Sequence, residues 1–181
     1  MYYMLQKCSI WIIAGAFFQE PTKEHGLLEV SRITKIAHTS VKKHLETLKK
    51  EGIISERIEK KGSRAYPLYK AEQESRVFRD YKKIYNFAEL INSGLIEHIK
   101  NSLMPKSIVL FGSYQKGEDI EDSDIDLFVE TEQKDIDLSR FEKRLKRKVQ
   151  LHFKDNFRKY PAELKNNIIN GTALEGYLEA F

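Results

Sequence analysis

The chain has 181 residues, 41% hydrophobic and 32% charged, a composition that excludes disordered, fibrous and collagen-like classes and indicates a globular protein. The net charge of +4 is unevenly spread: residues 29–70 carry eleven Lys and Arg against five Asp and Glu, a net of +6, whereas residues 104–181 carry thirteen against fifteen, a net of −2. Length and charge split together favour two small domains over one, and the one cysteine excludes an intrachain disulfide, which fits a reducing cytoplasm.

Residues 2–18 are rich in apolar side chains but are interrupted by Gln6, Lys7 and Ser9 and are too short to span a bilayer. They lack a basic lead and a cleavage site, so the expectation is a core helix over Ile10–Phe18 and no membrane partner. Cys8 falls in the same apolar pattern and is expected to be buried. Pro21 and Gly26 mark the exit loop. Leu28, Val30, Ile33 and Ile36 predict a short helix, and Ala37-His38-Thr39 a tight turn, with Thr39 or Ser40 capping the next helix. That helix, Val41–Lys50, places Val41, Leu45 and Leu48 on one face and Lys42, Lys43, Thr47 and Lys50 on others. Gly52 ends it. Ile53-Ile54 starts a strand, Lys60-Lys61-Gly62-Ser63-Arg64 makes a basic hairpin tip, and Ala65–Tyr69 returns.

Glu72–Lys100 carries apolar residues at helical spacing, from Val77, Phe78 and Tyr81 to Leu95, Ile96 and Ile99. Asn92-Ser93-Gly94 divides this run into two helices. Its wide stripe suits packing between domains or, equally, a homodimer interface. Ile108–Phe111 reads as a buried strand and ends in a Gly112-Ser113 turn. Asp124 and Asp126 sit in a second apolar run with Ile125, Leu127, Phe128 and Val129. Alternation along a strand would put the two carboxylates on one face, about 7 Å apart, with Ile125 and Leu127 packed on the other. Paired carboxylates suit Mg²⁺, and a Gly-Ser turn offers N–H groups and a hydroxyl to phosphate oxygens.

Two resemblances follow from these residues. Helix, helix, turn, helix and hairpin over about residues 8–70, with Ser40-Val41-Lys42-Lys43-His44-Leu45 and Leu48 to Ile54, resemble the winged helix-turn-helix family. That likeness implies double-stranded DNA as partner, with Thr39, Ser40, Lys42 and Lys43 in the major groove and Lys60, Lys61 and Arg64 on phosphates. Leu110-Phe111-Gly112-Ser113 followed by Asp124-Ile125-Asp126-Leu127 resembles the nucleotidyltransferase superfamily of DNA polymerase beta, and most of all its minimal prokaryotic members. Gly117, Ser123 and the tail Ile168–Gly171 with Leu174–Tyr177, similar to the family's last helix and turn, extend the likeness over about residues 104–181.

The second resemblance implies Mg²⁺, with Mn²⁺ as an alternative, held by Asp124 and Asp126, and a nucleoside triphosphate held by Gly112, Ser113 and Lys116. Catalysis would fall to Asp124 and Asp126. The family's third carboxylate is Gln150 here, within Arg147-Lys148-Val149-Gln150-Leu151-His152, so Gln150 or His152 is the candidate third ligand or base, and Asp155 a further one. The expected architecture is α+β: a winged helix at 1–71, a helical connector at 72–103 and a mixed-sheet nucleotidyltransferase domain at 104–181. Three functions compete: an enzyme moving a nucleoside monophosphate to an acceptor hydroxyl, a protein acceptor included; a DNA-binding or antitoxin-like regulator with a degenerate nucleotide-sensing domain; and a plain partner-binding module.

Overall fold

The computed structural model describes residues 8–154, 157 and 161–179. It divides into two compact units, Met1–Tyr85 and Asn86–Phe181.

The first unit begins with α1 (Ser9–Gln19), whose Ile13, Ala14, Ala16, Phe17 and Phe18 are buried, as an apolar helix must be. Cys8 lies just ahead of α1 and is exposed, against the expectation of burial: the helix starts one residue too late to carry its side chain inward. A short β1 (His25–Gly26) leads into α2 (Leu27–Thr34) and α3 (His38–Lys50). Val41, Leu45 and Leu48 are the buried stripe of α3, spaced four and three apart. The helix starts at His38 rather than after a turn at Thr39, and neither Thr39 nor Ser40 caps it; Ala37 stands at the N-cap without a side-chain bond. The hairpin β2 (Ile54–Lys61) and β3 (Arg64–Ala71) follows, and the antiparallel sheet has the order β1-β3-β2.

The long helix α4 (Arg76–Ser93) is shared in sequence between the units. Gly94 separates it from α5 (Leu95–Leu103) with φ of 80°, a left-handed conformation that glycine adopts without a Cβ clash.

The second unit holds a mixed sheet of order β6-β5-β4-β7, formed by β4 (Ser107–Phe111), β5 (Ile125–Glu130), β6 (Val149–Lys154) and β7 (Thr172–Gly176). β4 runs antiparallel to β5 and β7, and β5 runs parallel to β6 through a crossover carrying α7 (Ser139–Leu145). The tail expected as a helix and turn is α8 (Ala162–Ile169) followed by β7, so Leu174 and Glu175 belong to the sheet. One face buries Ile108, Leu110, Ile125, Leu127 and Val129 with Leu95, Ile99 and Leu103. The opposite face buries Val109, Phe111 and Phe128 with Phe157 and Ile168. Apolar cover on both faces explains why β4 and β5 read as apolar runs rather than alternating ones.

Candidate active site

The opposite face also carries the candidate chemistry, at the start of β5. Side chains at 126, 128 and 130 share it: Asp126 is half-buried, whereas Phe128 and Glu130 are buried. Glu130 is structural, accepting hydrogen bonds from Ser107 Oγ at 3.0 Å and the Phe157 N–H at 3.3 Å. Asp126 pairs in register with Phe111 on one side and with Gln150 on the other. Phe111 is the last residue of β4, so Asp126 lies against the corner where Gly112 opens the short helix α6 (Gly112–Lys116).

Two observations favour glycine at that corner. Its φ is 78°, where L side chains are strained, and a Cβ there would lie 2.5 Å from Asp126 Oδ2. The bare backbone of Gly112 therefore lets the carboxylate approach. The other carboxylate oxygen, Oδ1, is 3.0 Å from His152 Nε2. The His152 ring is held edge-on by Phe111, with centroids 5.0 Å apart. Gln150 stands beside Asp126 on β6 and is exposed.

Asp124 lies one residue ahead of β5, outside the strand in which it was expected, and is exposed. With Ser123, Lys146, Arg147 and Lys148 it lines an open cleft of about 530 Å³. The turn before it is closed from both sides: the Ile120 N–H donates to Ser123 Oγ at 2.9 Å, and the Ser123 N–H to the Ile120 carbonyl at 3.1 Å. Lys116 ends α6 and is exposed; Ser113 is half-buried. Asp155 lies outside the described residues.

Sequence reasoning missed what holds these pieces. Asp119 is 1% exposed and accepts a hydrogen bond from Asn86 Nδ2 at 2.7 Å, while Arg147 Nη2 lies 3.5 Å from its other oxygen. Asn86 Nδ2 also donates to the Tyr114 carbonyl at 2.9 Å, and Tyr114 Oη to the Asn86 carbonyl at 3.3 Å. One buried polar knot thus ties α4, α6, the loop leading to Asp124 and the turn two residues before β6. A buried charge pair is stable only with such extra bonds. Asp119 sits in an acidic stretch that reads as solvated surface, and nothing local marks it as the member turned inward.

In the first unit, Thr39, Lys42, Lys43, Lys60 and Arg64 are exposed, and Ser40 is half-buried. The Lys61 side chain lies outside those described. Part of the basic excess is neutralised locally, Lys49 by Glu46 and Glu56 and Arg57 by Glu24. Lys42, Lys43, Lys60 and Arg64 have no ion pair among the described residues. Lys42 borders an apolar groove of about 560 Å³ that also takes in Leu28, Glu59, Tyr66 and Leu68.

Residues 93–174 match the family model of the nucleotidyltransferase domain. The matched segment holds Gly112, Asp124, Asp126, Gln150 and His152 together. No curated protein matches the chain. Among solved structures, a chain described as "Possible transcriptional regulator from Methanosarcina mazei Go1" aligns at 17% identity with a TM-score of 0.36, covering 51% of this chain and 84% of that one.

The donor set suits a divalent cation: two carboxylates, an imidazole and an amide in one segment. Among the described residues, however, no three His, Cys, Asp or Glu side chains gather closely enough to enclose a metal ion. Any ion here would take its remaining ligands from water or a bound phosphate, as Mg²⁺ at nucleotide sites does. Among the described residues no helix is long and apolar enough to cross a membrane.

Proposed function

We propose that the second unit transfers a nucleoside monophosphate from a nucleoside triphosphate to an acceptor hydroxyl. The observation that carries this reading is the approach of Asp126 to the Gly112 corner, where a side chain would be strained and would displace the carboxylate, inside the segment that matches the nucleotidyltransferase domain. Asp124 and Asp126 would hold the divalent metal, Mg²⁺ or Mn²⁺, which neutralises charge on the entering and leaving oxygens of the α-phosphate. Ser113 and the corner backbone bind the outer phosphates, with Lys116 as an added cation. His152 stands where it can act on Asp126, and the Gln150 amide, which cannot take a proton, orients a neighbouring group instead. The cleft beside Asp124 mixes Lys146, Arg147 and Lys148 with Glu121, Asp122 and Glu142, so it offers cations and carboxylates side by side.

The first unit is read as a winged helix that tethers the transferase to double-stranded DNA in the cytoplasm. Support comes from the exposed, unpaired Lys42, Lys43, Lys60 and Arg64 on a helix and a hairpin tip. Phosphate contacts of this kind make binding salt-dependent. Gln150 in place of a carboxylate favours a second reading: a DNA-binding or antitoxin-like regulator whose transferase unit senses nucleotide without turning it over. The acceptor in the first reading can be a protein side chain, and a homodimer through the apolar stripe of α4 is compatible with both.

One experiment separates the readings. The protein is incubated with labelled nucleoside triphosphates, Mg²⁺ or Mn²⁺ and cell extract, and duplex affinity is followed in parallel. Label transfer that disappears in Asp124→Ala and Asp126→Ala supports the enzyme. No transfer, with duplex affinity that changes on adding nucleotide, supports the regulator. The double variant Lys42→Glu, Lys43→Glu should weaken duplex binding and flatten its salt dependence; unchanged values exclude the DNA role.

A further inference from the structure

Asp126 and His152 stand in a geometry that two ligands of one ion could share. Their donor atoms, Oδ1 and Nε2, are 3.0 Å apart. Two ligands at right angles on one ion, each bonded at about 2.1 Å, are about 3 Å apart, the separation found in an octahedral shell. The pair therefore needs little movement to pass from bonding each other to sharing an ion. Both side chains are reachable, with 24% of Asp126 and 19% of His152 exposed. Phe111 lies edge-on to the imidazole and the Gly112 corner backs the far carboxylate oxygen, so the two donors already face each other before any ion arrives.

We propose that Asp126 and His152 form a mixed oxygen–nitrogen metal site that favours a first-row transition ion, Mn²⁺ or Co²⁺, over Mg²⁺. This rests on the nucleotidyltransferase reading of the same site and deepens it. Mg²⁺ takes oxygen donors and gives up water reluctantly, so a neutral imidazole adds little to its affinity. Imidazole is a good ligand for the later divalent ions, and affinity rises along the first row from Mn²⁺, the weakest, so Co²⁺ gains more from His152 than Mn²⁺ does. Gln150 acts in the same direction. With an amide beside Asp126 instead of a carboxylate, the site has one less negative charge to attract a hard cation, and donor type counts for more. Asp124, at the mouth of the neighbouring cleft, remains available to a second ion or to one brought in with a triphosphate.

His25 shows what distinguishes His152. It also has carboxylates on both sides, Glu20 at 3.7 Å and Glu29 at 3.6 Å. Its ring is wholly buried, however, and the Lys23 ammonium already bonds both of those carboxylates, at 3.2 and 2.9 Å. A cation is built into that cluster; among the described residues, none is recorded between Asp126 and His152.

The test reads binding directly. The full chain is titrated with Mn²⁺, followed by the electron paramagnetic resonance of the free ion, and with Co²⁺, followed by visible absorption, each with and without a non-hydrolysable nucleoside triphosphate. Mg²⁺ is measured by competition against Mn²⁺, and every variant is checked for native circular dichroism. His152→Ala should weaken Co²⁺ by about tenfold or more, Mn²⁺ by a smaller factor, and Mg²⁺ by less than about twofold. His152→Asp, which restores an all-oxygen set, should lower the Mn²⁺ to Mg²⁺ preference in the same direction while keeping both ions bound. A preference unchanged in both His152 variants, with all ions lost in Asp126→Ala, overturns the mixed site and leaves the nucleotidyltransferase reading intact. Ion binding indifferent to Asp126→Ala overturns both.

Discussion

The two ends of one sheet face are built from the same strands and serve opposite ends. At one end Val109 and Phe128 close over Phe157 and Ile168 and exclude water. At the other, two residues earlier on β5, Asp126 takes the position that Phe128 takes, and the cover stops, leaving a carboxylate, an imidazole and an amide in reach of solvent. Because strand side chains alternate, a single hydrophobic register places both groups. The difference teaches that the dry end anchors the strand so that the wet end can present charge without folding around it.

Three substitutions would break or sharpen this contrast. Phe128→Ala, in the dry half, should lower stability by about 3–5 kcal/mol, read as a shifted urea midpoint, because a fully buried ring is lost and a cavity remains. A loss under about 1 kcal/mol would mean that the dry end does not anchor β5. Gly112→Ala, at the boundary, should cost about 1–3 kcal/mol through its left-handed φ and should also displace Asp126, so that nucleotide binding falls with it. Stability loss with intact nucleotide binding would uncouple corner from carboxylate. Asp126→Asn, in the wet half, keeps shape and loses charge. It should shift the thermal midpoint by an amount equivalent to about 1 kcal/mol or less, since the partly exposed pair with His152 is worth little to folding, while divalent ion binding is lost. A large stability change there would erase the division between the two ends.

Much of the fold is legible in the residues themselves. The apolar run Ile108–Phe111, the stripe Val41, Leu45 and Leu48, and the break at Gly94 each follow from a local rule, and the structure has them. Three features are not local. β7 carries no alternating apolar pattern; it is a strand because β4 offers it an edge, from Ser107 opposite Gly176 to Leu110 opposite Thr172. The start of α3 at His38 owes nothing to Thr39 or Ser40, since tertiary burial of Val41 and Leu45 positions the helix without a side-chain cap. Asp119 and Arg147 stay hidden in charged stretches, because a buried charge is recognised only through a partner that the fold supplies from 28 residues away. The Gly112 and Asp126 juxtaposition follows from motif spacing, whereas the contact of His152 with Asp126 follows from the parallel pairing of β5 and β6.

The sheet order β6-β5-β4-β7 gives Asp126 a central strand and His152 an outer one. Asp126 is gripped by ladders on both flanks, whereas the strand bearing His152 has a neighbour on one flank alone within this sheet. The imidazole can thus drift by fractions of an ångström at small cost while the carboxylate stays put. A fixed jaw and a compliant jaw can follow a shell that widens and narrows as phosphate and water exchange around it.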